Sequence, residues 1–207
     1  MTARARSPLK LAVLISGRGS NMVAIAQACA QQQINARIVC VISDQPDAAG
    51  LEKAREMGLP TRIVNLQDFR TPQGIDRAAF DAELARVIDE AEPDLVVLAG
   101  FMRILSPPFV RRYEGRLLNI HPSLLPAYKG LHTHQRVLDA GEREHGASVH
   151  FVTAELDGGP VVMQGRVPVL PGDDAQALAA RVNEMEWKLY PSVIGRIAEG
   201  SLQWSPP

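Results

Sequence analysis

Lys10-Leu11-Ala12-Val13-Leu14-Ile15-Ser16-Gly17-Arg18-Gly19-Ser20-Asn21 decides how this chain folds. The run from Lys10 to Ser16, rich in Val, Leu and Ile, shows no period-two alternation, which is the pattern of a parallel strand buried on both faces. The glycines behind it turn the chain sharply. Met22 to Gln31 then reads as a helix capped by Ser20 or Asn21, and Ala36 to Ser43 as a second strand. The unit is strand, helix, strand.

The same grammar continues outward. Ala49 to Met57 is helical and stops at Gly58, and Thr61 to Val64 is a short strand. Asp76 to Ala91 places Phe80, Leu84, Val87, Ile88 and Ala91 at helical spacing. Asp94 to Ala99 is a fourth strand, Pro107 to Tyr113 a short helix and Arg116 to His121 a fifth strand. A loop punctuated by proline and glycine, Pro122 to Thr133, precedes a helix at Gln135 to Ala140. Ala147 to Val152 and Val161 to Val169 are strands with no room for a crossover helix between them, so they pair antiparallel. Asp174 to Tyr190 is a helix with Leu178, Val182, Met185 and Leu189 on one face. It is expected to end near Pro191, before a short helix and a terminal strand around Leu202 to Trp204. The fold class is α/β: an open, mostly parallel twisted sheet, Rossmann-like in its N-terminal half, with antiparallel strands in the C-terminal part. The ends of the first, fourth and fifth strands should converge at one sheet edge, where such folds bind ligands.

With 207 residues, 46% of them apolar, the chain reads as a single domain over 1–207. A net charge of −1 gives no basic footprint for nucleic acid or an anionic membrane, which favours small-molecule partners. Cys29 and Cys40 lie in a helical and a strand pattern, with no C-x-x-C, as suits a reducing cytoplasm. The basic segment Thr2 to Pro8 lacks an apolar stretch behind it, and no run approaches the roughly twenty residues of a membrane span.

The chemistry concentrates in Leu118-Asn119-Ile120-His121-Pro122-Ser123-Leu124-Leu125-Pro126 and in Leu156-Asp157-Gly158-Gly159-Pro160. In an extended strand Asn119 and His121 leave by the same face, about 7 Å apart. An amide donor, an imidazole and a carboxylate suit an acyl transfer in which an oxyanion forms and a proton moves. Taken singly, each residue also fits a cap or a turn. Ser16-Gly17-Arg18-Gly19-Ser20-Asn21 aims backbone N–H groups and a helix dipole at an anion. It is not a P-loop, and Met22 breaks the dinucleotide fingerprint, so one phosphate fits better than ATP or NAD. His132 and His134 lack further ligands at metal spacing, so no metal is expected. His145 reads as a surface group and His150 as a strand residue. Arg103 is either a solvated charge or a clamp for a carboxylate or a pterin-like ring edge. Arg77 is unfavourable at a helix start and needs another reason to be there.

These stretches, with Val97-Leu98-Ala99-Gly100-Phe101-Met102-Arg103-Ile104-Leu105, Gly130-Leu131-His132-Thr133-His134 and His150 through Pro160, occur in one order and spacing. Over nearly its whole length the chain thereby resembles the phosphoribosylglycinamide formyltransferases of purine synthesis, which use 10-formyltetrahydrofolate as co-substrate. The resemblance implies that Asn119, His121 and Asp157 are catalytic, that Gly19, Ser20 and Asn21 hold a ribose phosphate, and that Glu186 contacts the glycinamide portion. It implies a folate pocket lined by Met102, Arg103, Ile104, Leu105 and Asn119, with Arg77 near the glutamate tail. It also divides the chain into a phosphate-binding half, 9–100, and a folate-binding and catalytic half, 101–207. The loop around His132 would close over the phosphate side. The chain departs from the pattern in its basic N-terminal extension, its short tail after Trp204, and Ala154, where an acidic residue often stands.

Rival readings are methionyl-tRNA formyltransferase, formyltetrahydrofolate deformylase, and a non-enzymatic folate- or nucleotide-binding module. The first normally adds a basic C-terminal module and the second an N-terminal regulatory domain, neither of which is expected here. A binding module would not need the full catalytic set. Whether the protein is a monomer or a homodimer, and whether Leu125-Pro126 is cis or trans, stays open at this level.

Overall fold

The apolar run becomes β1 (Leu9–Ile15), whose residues Leu11 to Ile15 are fully buried in the computed structural model, which describes residues 7–202. It is followed by α1 (Ser20–Ala30), β2 (Ala36–Ser43), α2 (Ala49–Glu56) and β3 (Thr61–Ile63). A 3-10 turn at Leu66–Phe69 and a two-residue-a-side hairpin, β4 (Arg70–Thr71) and β5 (Gly74–Ile75), lead into α3 (Arg77–Glu90). The second half comprises β6 (Leu95–Leu98), α4 (Pro107–Arg112), β7 (Leu117–His121), α5 (Thr133–Asp139), β8 (Glu144–Phe151), β9 (Val161–Pro168) and α6 (Ala175–Ala198).

Seven strands form one sheet in the order β3-β2-β1-β6-β7-β8-β9. The β3-β2, β2-β1, β1-β6 and β6-β7 pairs are parallel, and β7-β8 and β8-β9 are antiparallel. Strand order reverses between β1 and β6, so the loops leaving those two strands diverge and open a crevice at their carboxyl ends. Successive side chains of β1 feed opposite layers. Leu11, Val13 and Ile15 join the core with residues of α1 and α6, and Ala12 and Leu14 join the one with residues of α3 and α4.

Four details differ from the sequence reading. The cap of α1 is Gly19 in the left-handed region, which has no side chain to make a cap bond, while Asn21 lies inside the first turn with its side chain on Glu186. Helix α6 runs through Pro191 to Ala198. A proline there costs about 3 kcal/mol, but Val193 and Ile194 beyond it are fully buried, and each such side chain gains roughly 1.5–3 kcal/mol. Before the proline, the Tyr190 hydroxyl lies 3.1 Å from both the Leu98 and Leu118 carbonyls and ties the helix to β6 and β7. The hairpin at β4 and β5 was not anticipated, since strands this short carry no periodicity. The strand expected around Leu202 to Trp204 falls mostly on residues 203–207, which lie outside the described residues, as does the basic segment up to residue 6.

His145 is the fourth correction: it is buried, not a surface group, and its Nε2 lies 3.0 Å from Nδ1 of His134 at the start of α5. One ring must accept what the other donates, so they cannot both be fully protonated. Burial, aided by the nearby His134 and His121 charges, pushes His145 down to about 4, and burial lowers His134 as well.

Two expectations follow from this packing. Between about 6.5 and about 4 the unfolded chain binds a proton that the folded His145 site rejects. Stability should therefore fall as the pH drops through that window, by up to about 3 kcal/mol. Urea unfolding at pH 7 and pH 4.5 should show a smaller loss in His145→Gln, and an equal loss in both proteins would exclude this origin. At the β1-α1 turn, a Cβ on Gly50 would lie 2.6 Å from Ile15 Cδ1 and 2.9 Å from the Gly17 carbonyl. Gly50→Ala should cost about 1–3 kcal/mol through overpacking, read as a lowered Tm.

Candidate active site

Strand β7 ends at His121 and presents Asn119 and His121 from the same face, while Leu118 and Ile120 point into the core. Its antiparallel partner β8 sets His150 opposite Asn119 and Ser148 opposite His121. The Nδ1 of His150 lies 3.0 Å from the Phe151 carbonyl, which can only accept, so this nitrogen carries the proton. Its Nε2 is left to accept from the Asn119 amide at 3.1 Å. Burial lowers the pKa of His150, which keeps the ring in this neutral form. One N–H of the Asn119 amide is thus engaged, and the amide's orientation is fixed for its second N–H.

Asp157 reaches the same place from the turn after β8. The turn can lie against that strand because residue 159 is glycine: a Cβ there would stand 1.9 Å from the Phe151 carbonyl oxygen. Asp157 adopts a left-handed backbone, φ +49°. Its Oδ2 lies 3.4 Å from His121 Nδ1 and accepts from the Gly130 N–H at 2.9 Å, and its Oδ1 lies 3.8 Å from His150 Nε2. The other nitrogen of His121, Nε2, donates to the Tyr128 carbonyl at 3.0 Å. The carboxylate and the imidazole are both nearly enclosed, each side chain 8% exposed. In so little water, charge–charge attraction is weakly screened.

On the glycine-turn side, the buried pair Asn21 and Glu186 meets across 165 residues of sequence, the Asn21 amide donating to Glu186 at 2.9 Å. Burial raises the pKa of Glu186, and the Asn21 bond partly offsets it. The Oδ1 of Asn21 is buried without a partner, an acceptor suited to a ligand N–H. No side chain caps α1, so its first-turn N–H groups remain for an anion. Between the two sides runs the segment after β6, tied to the glycine turn by the Met102 N–H donating to Ser16 Oγ at 2.8 Å. Met102 and Ile104 are exposed and Leu105 is buried, so this segment presents an apolar wall to the crevice.

Asn119, His121 and Asp157 therefore come together, as do Asn21 and Glu186, with Gly19 and Ser20 at the turn. Arg103 is engaged through its Nε by the buried carboxylate of Asp44 at the end of β2, which makes it a fixed edge of the crevice. Arg77 stands exposed on the first turn of α3, outside the hydrogen-bonded cluster. Sequence reasoning missed His150, the Tyr128 carbonyl and Asp44. His150 was within reach, because antiparallel pairing with the strand of Asn119 leaves few registers, and one of them sets the two side by side. Leu125-Pro126 is cis.

A sequence profile of formyl transferases matches residues 9–194. The phosphoribosylglycinamide formyltransferase of Escherichia coli is 52% identical over 195 residues, covering 94% of this chain and 90% of that protein. The trifunctional purine biosynthetic protein adenosine-3 of Bos taurus is 45% identical over 94% of this chain, which corresponds to 19% of that longer protein. Among solved structures, the phosphoribosylglycinamide formyltransferase of Coxiella burnetii superposes with a TM-score of 0.89 at 45% identity, covering 96% of this chain and 91% of its own. Glycinamide ribonucleotide transformylase 1 of Symbiobacterium toebii gives 0.91 at 40% identity, covering 99% and 94%. On a profile that spans nearly its whole length and relatives that share half of its residues, the chain belongs to the formyl transferase family, among the phosphoribosylglycinamide formyltransferases.

Proposed function

We propose that this formyltransferase moves the formyl group of 10-formyltetrahydrofolate to the glycinamide amine of 5-phosphoribosylglycinamide, giving formylglycinamide ribonucleotide in de novo purine synthesis. The observation that carries the reading is the Asp157 carboxylate beside His121 Nδ1, with the Asn119 amide on the same face of β7. The phosphate rests on the turn at Gly19, Ser20 and Asn21, the glycinamide near Glu186, and the folate along Met102 to Leu105, with Arg77 toward its glutamate tail. The division into a phosphate-binding half and a folate-binding, catalytic half is functional, since Asn21 and Glu186 join the two. We expect small-molecule partners, which the net charge of −1 supports, and a cytoplasmic setting, which suits the free thiols of Cys29 and Cys40. No helix among the described residues is long and apolar enough to cross a membrane.

The substrate amine attacks the formyl carbon, and its lone pair forms the new C–N bond while the carbonyl π pair moves onto oxygen. Asn119 N–H and protonated His121 stabilise that oxyanion, each such donor lowering the barrier by on the order of 3 kcal/mol. Asp157 lies beside the imidazole as its counter-charge, takes the proton of the ammonium nitrogen that the attack creates and, through water, returns it to N10. Collapse then breaks the C–N10 bond and releases neutral tetrahydrofolate. No residue becomes covalent.

In a mixture with 10-formyltetrahydrofolate, the formyl-folate absorbance should fall only when phosphoribosylglycinamide is present. Equal loss without the amine would reassign the chain to deformylation, the alternative that the buried pair at the glycine turn argues against. Asp157→Asn should lower kcat by roughly 10²–10⁴-fold, the scale of a lost acid–base group, and alter its pH profile while changing KM little. Full kcat with the wild-type profile would remove Asp157 from the chemistry.

A further inference from the structure

Both members of the His121–Asp157 pair are held by one short stretch of backbone. The Tyr128 carbonyl accepts from His121 Nε2 at 3.0 Å, and two residues on the Gly130 N–H donates to Asp157 Oδ2 at 2.9 Å. Because a carbonyl cannot donate, this contact requires the proton on Nε2 and leaves Nδ1 as the nitrogen that faces Asp157. The segment therefore decides which imidazole nitrogen does the chemistry.

A loop backbone can perform this task only if something fixes it. Tyr128 has φ +55° and Gly130 φ +82°, so the segment is not in a relaxed extended form. The guanidinium of Arg136, on α5, supplies the restraint. Its Nη1 donates to the Lys129 carbonyl at 2.7 Å and to the Leu131 carbonyl at 3.3 Å, on either side of Gly130, and its Cζ lies 5.4 Å from the centroid of the Tyr128 ring. Two further contacts are more peripheral: the Tyr128 hydroxyl donates to Glu142 at 2.8 Å, and Lys129 Nζ to Glu155 at 2.6 Å.

We propose that Arg136 is a positioning residue for the formyl transfer, clamping the carbonyls of Lys129 and Leu131 so that the Tyr128 carbonyl and the Gly130 N–H hold His121 and Asp157 in register. This inference rests on the catalytic roles proposed above. Arg136 is an exposed side chain whose removal leaves no cavity in the core. Lysine in its place keeps the charge but replaces the fixed, planar N–H pair of Nη1 with a freely rotating ammonium.

The test measures Arg136→Ala, Arg136→Lys and Glu142→Gln for kcat, KM and Tm, and reads the ring nitrogens of His121 by 15N NMR, with Asp157→Asn in parallel. Arg136→Ala should lower kcat by roughly ten- to a hundredfold, as expected when a catalytic group is displaced by about 1 Å. Its Tm should stay close to wild type, and His121 should lose its single Nε2–H tautomer at high pH. Arg136→Lys should recover part of the rate, and Glu142→Gln should stay near wild type because its carboxylate meets the Tyr128 hydroxyl, away from both backbone groups. The titratable groups nearest the ring, Asp157, His150, His134 and His145, are intact in all three variants, so a changed tautomer reports the clamp. Wild-type kcat and an unchanged tautomer in Arg136→Ala, alongside an impaired Asp157→Asn, would overturn the positioning role alone. If Asp157→Asn is also unimpaired, the catalytic reading beneath it fails.

Discussion

The antiparallel pairing of β7 with β8 is the constraint on which the site depends. Up to β7 the sheet is parallel, and each strand end points its loop into the crevice. The next strand runs back, and only that reversal sets His150 against Asn119, Ser148 against His121, and the turn carrying Asp157 over both. Side chains alternate faces along a strand, so a slip of one residue would turn Asn119 and His121 into the core layer and bring Leu118 and Ile120 out. The slip is opposed by that core, since Leu118 and Ile120 are buried among residues of α6 and β8. Apolar packing thus holds the register, and the register holds the chemistry.

The same economy explains how much could be read from residues alone. Buried parallel strands announce themselves by unbroken apolar runs, so β1, β2, β6 and β7 and their helices were legible, as was the antiparallel return of β8 and β9. The end of α6 was misread because a local rule about proline met a tertiary fact: the helix beyond Pro191 has core to bury. His145 was misread for the opposite reason. Histidine has no strong burial preference, and its environment is decided by His134, which arrives from another element. Of the site, Asn119, His121 and Asp157 were legible because their chemistry is stated by side-chain type. The backbone carbonyl of Tyr128 has no letter in the sequence, and nothing short of the folded loop could have revealed it.

The pair Asn21 and Glu186 shows a second kind of dependence. A buried carboxylate is expensive unless it is bonded or neutral. Here burial raises the Glu186 pKa while one amide N–H of Asn21 partly compensates, so neither side chain is free to adopt another role without exposing the cost of the other. Asn21 lies inside the first turn of α1, and the cap position is held by Gly19, which has no side chain. The helix start is left without a side-chain cap, which is the state an anion site requires. A weakness in local helix design is therefore the same feature that makes the turn available to a ligand.

Backbone strain follows the same distribution. Among the described residues, Gln32, Glu92, Tyr128, His132 and Asp157 are the non-glycine positions with left-handed backbones. The first two lie just past the ends of α1 and α3, where the chain turns; Tyr128 and Asp157 contact His121, and His132 caps α5. A left-handed residue costs roughly 1–2 kcal/mol, so this cluster persists only because other contacts overdetermine it. Those contacts are identifiable: Gly130 N–H on Asp157, the Tyr128 carbonyl on His121 Nε2, and Arg136 across the loop. Backbone dipoles have less freedom than side chains, so groups aimed by them need little reordering when charge develops on the substrate. The conformational cost is met on folding, before any ligand binds, which is why the strained positions and the proposed catalytic residues lie together.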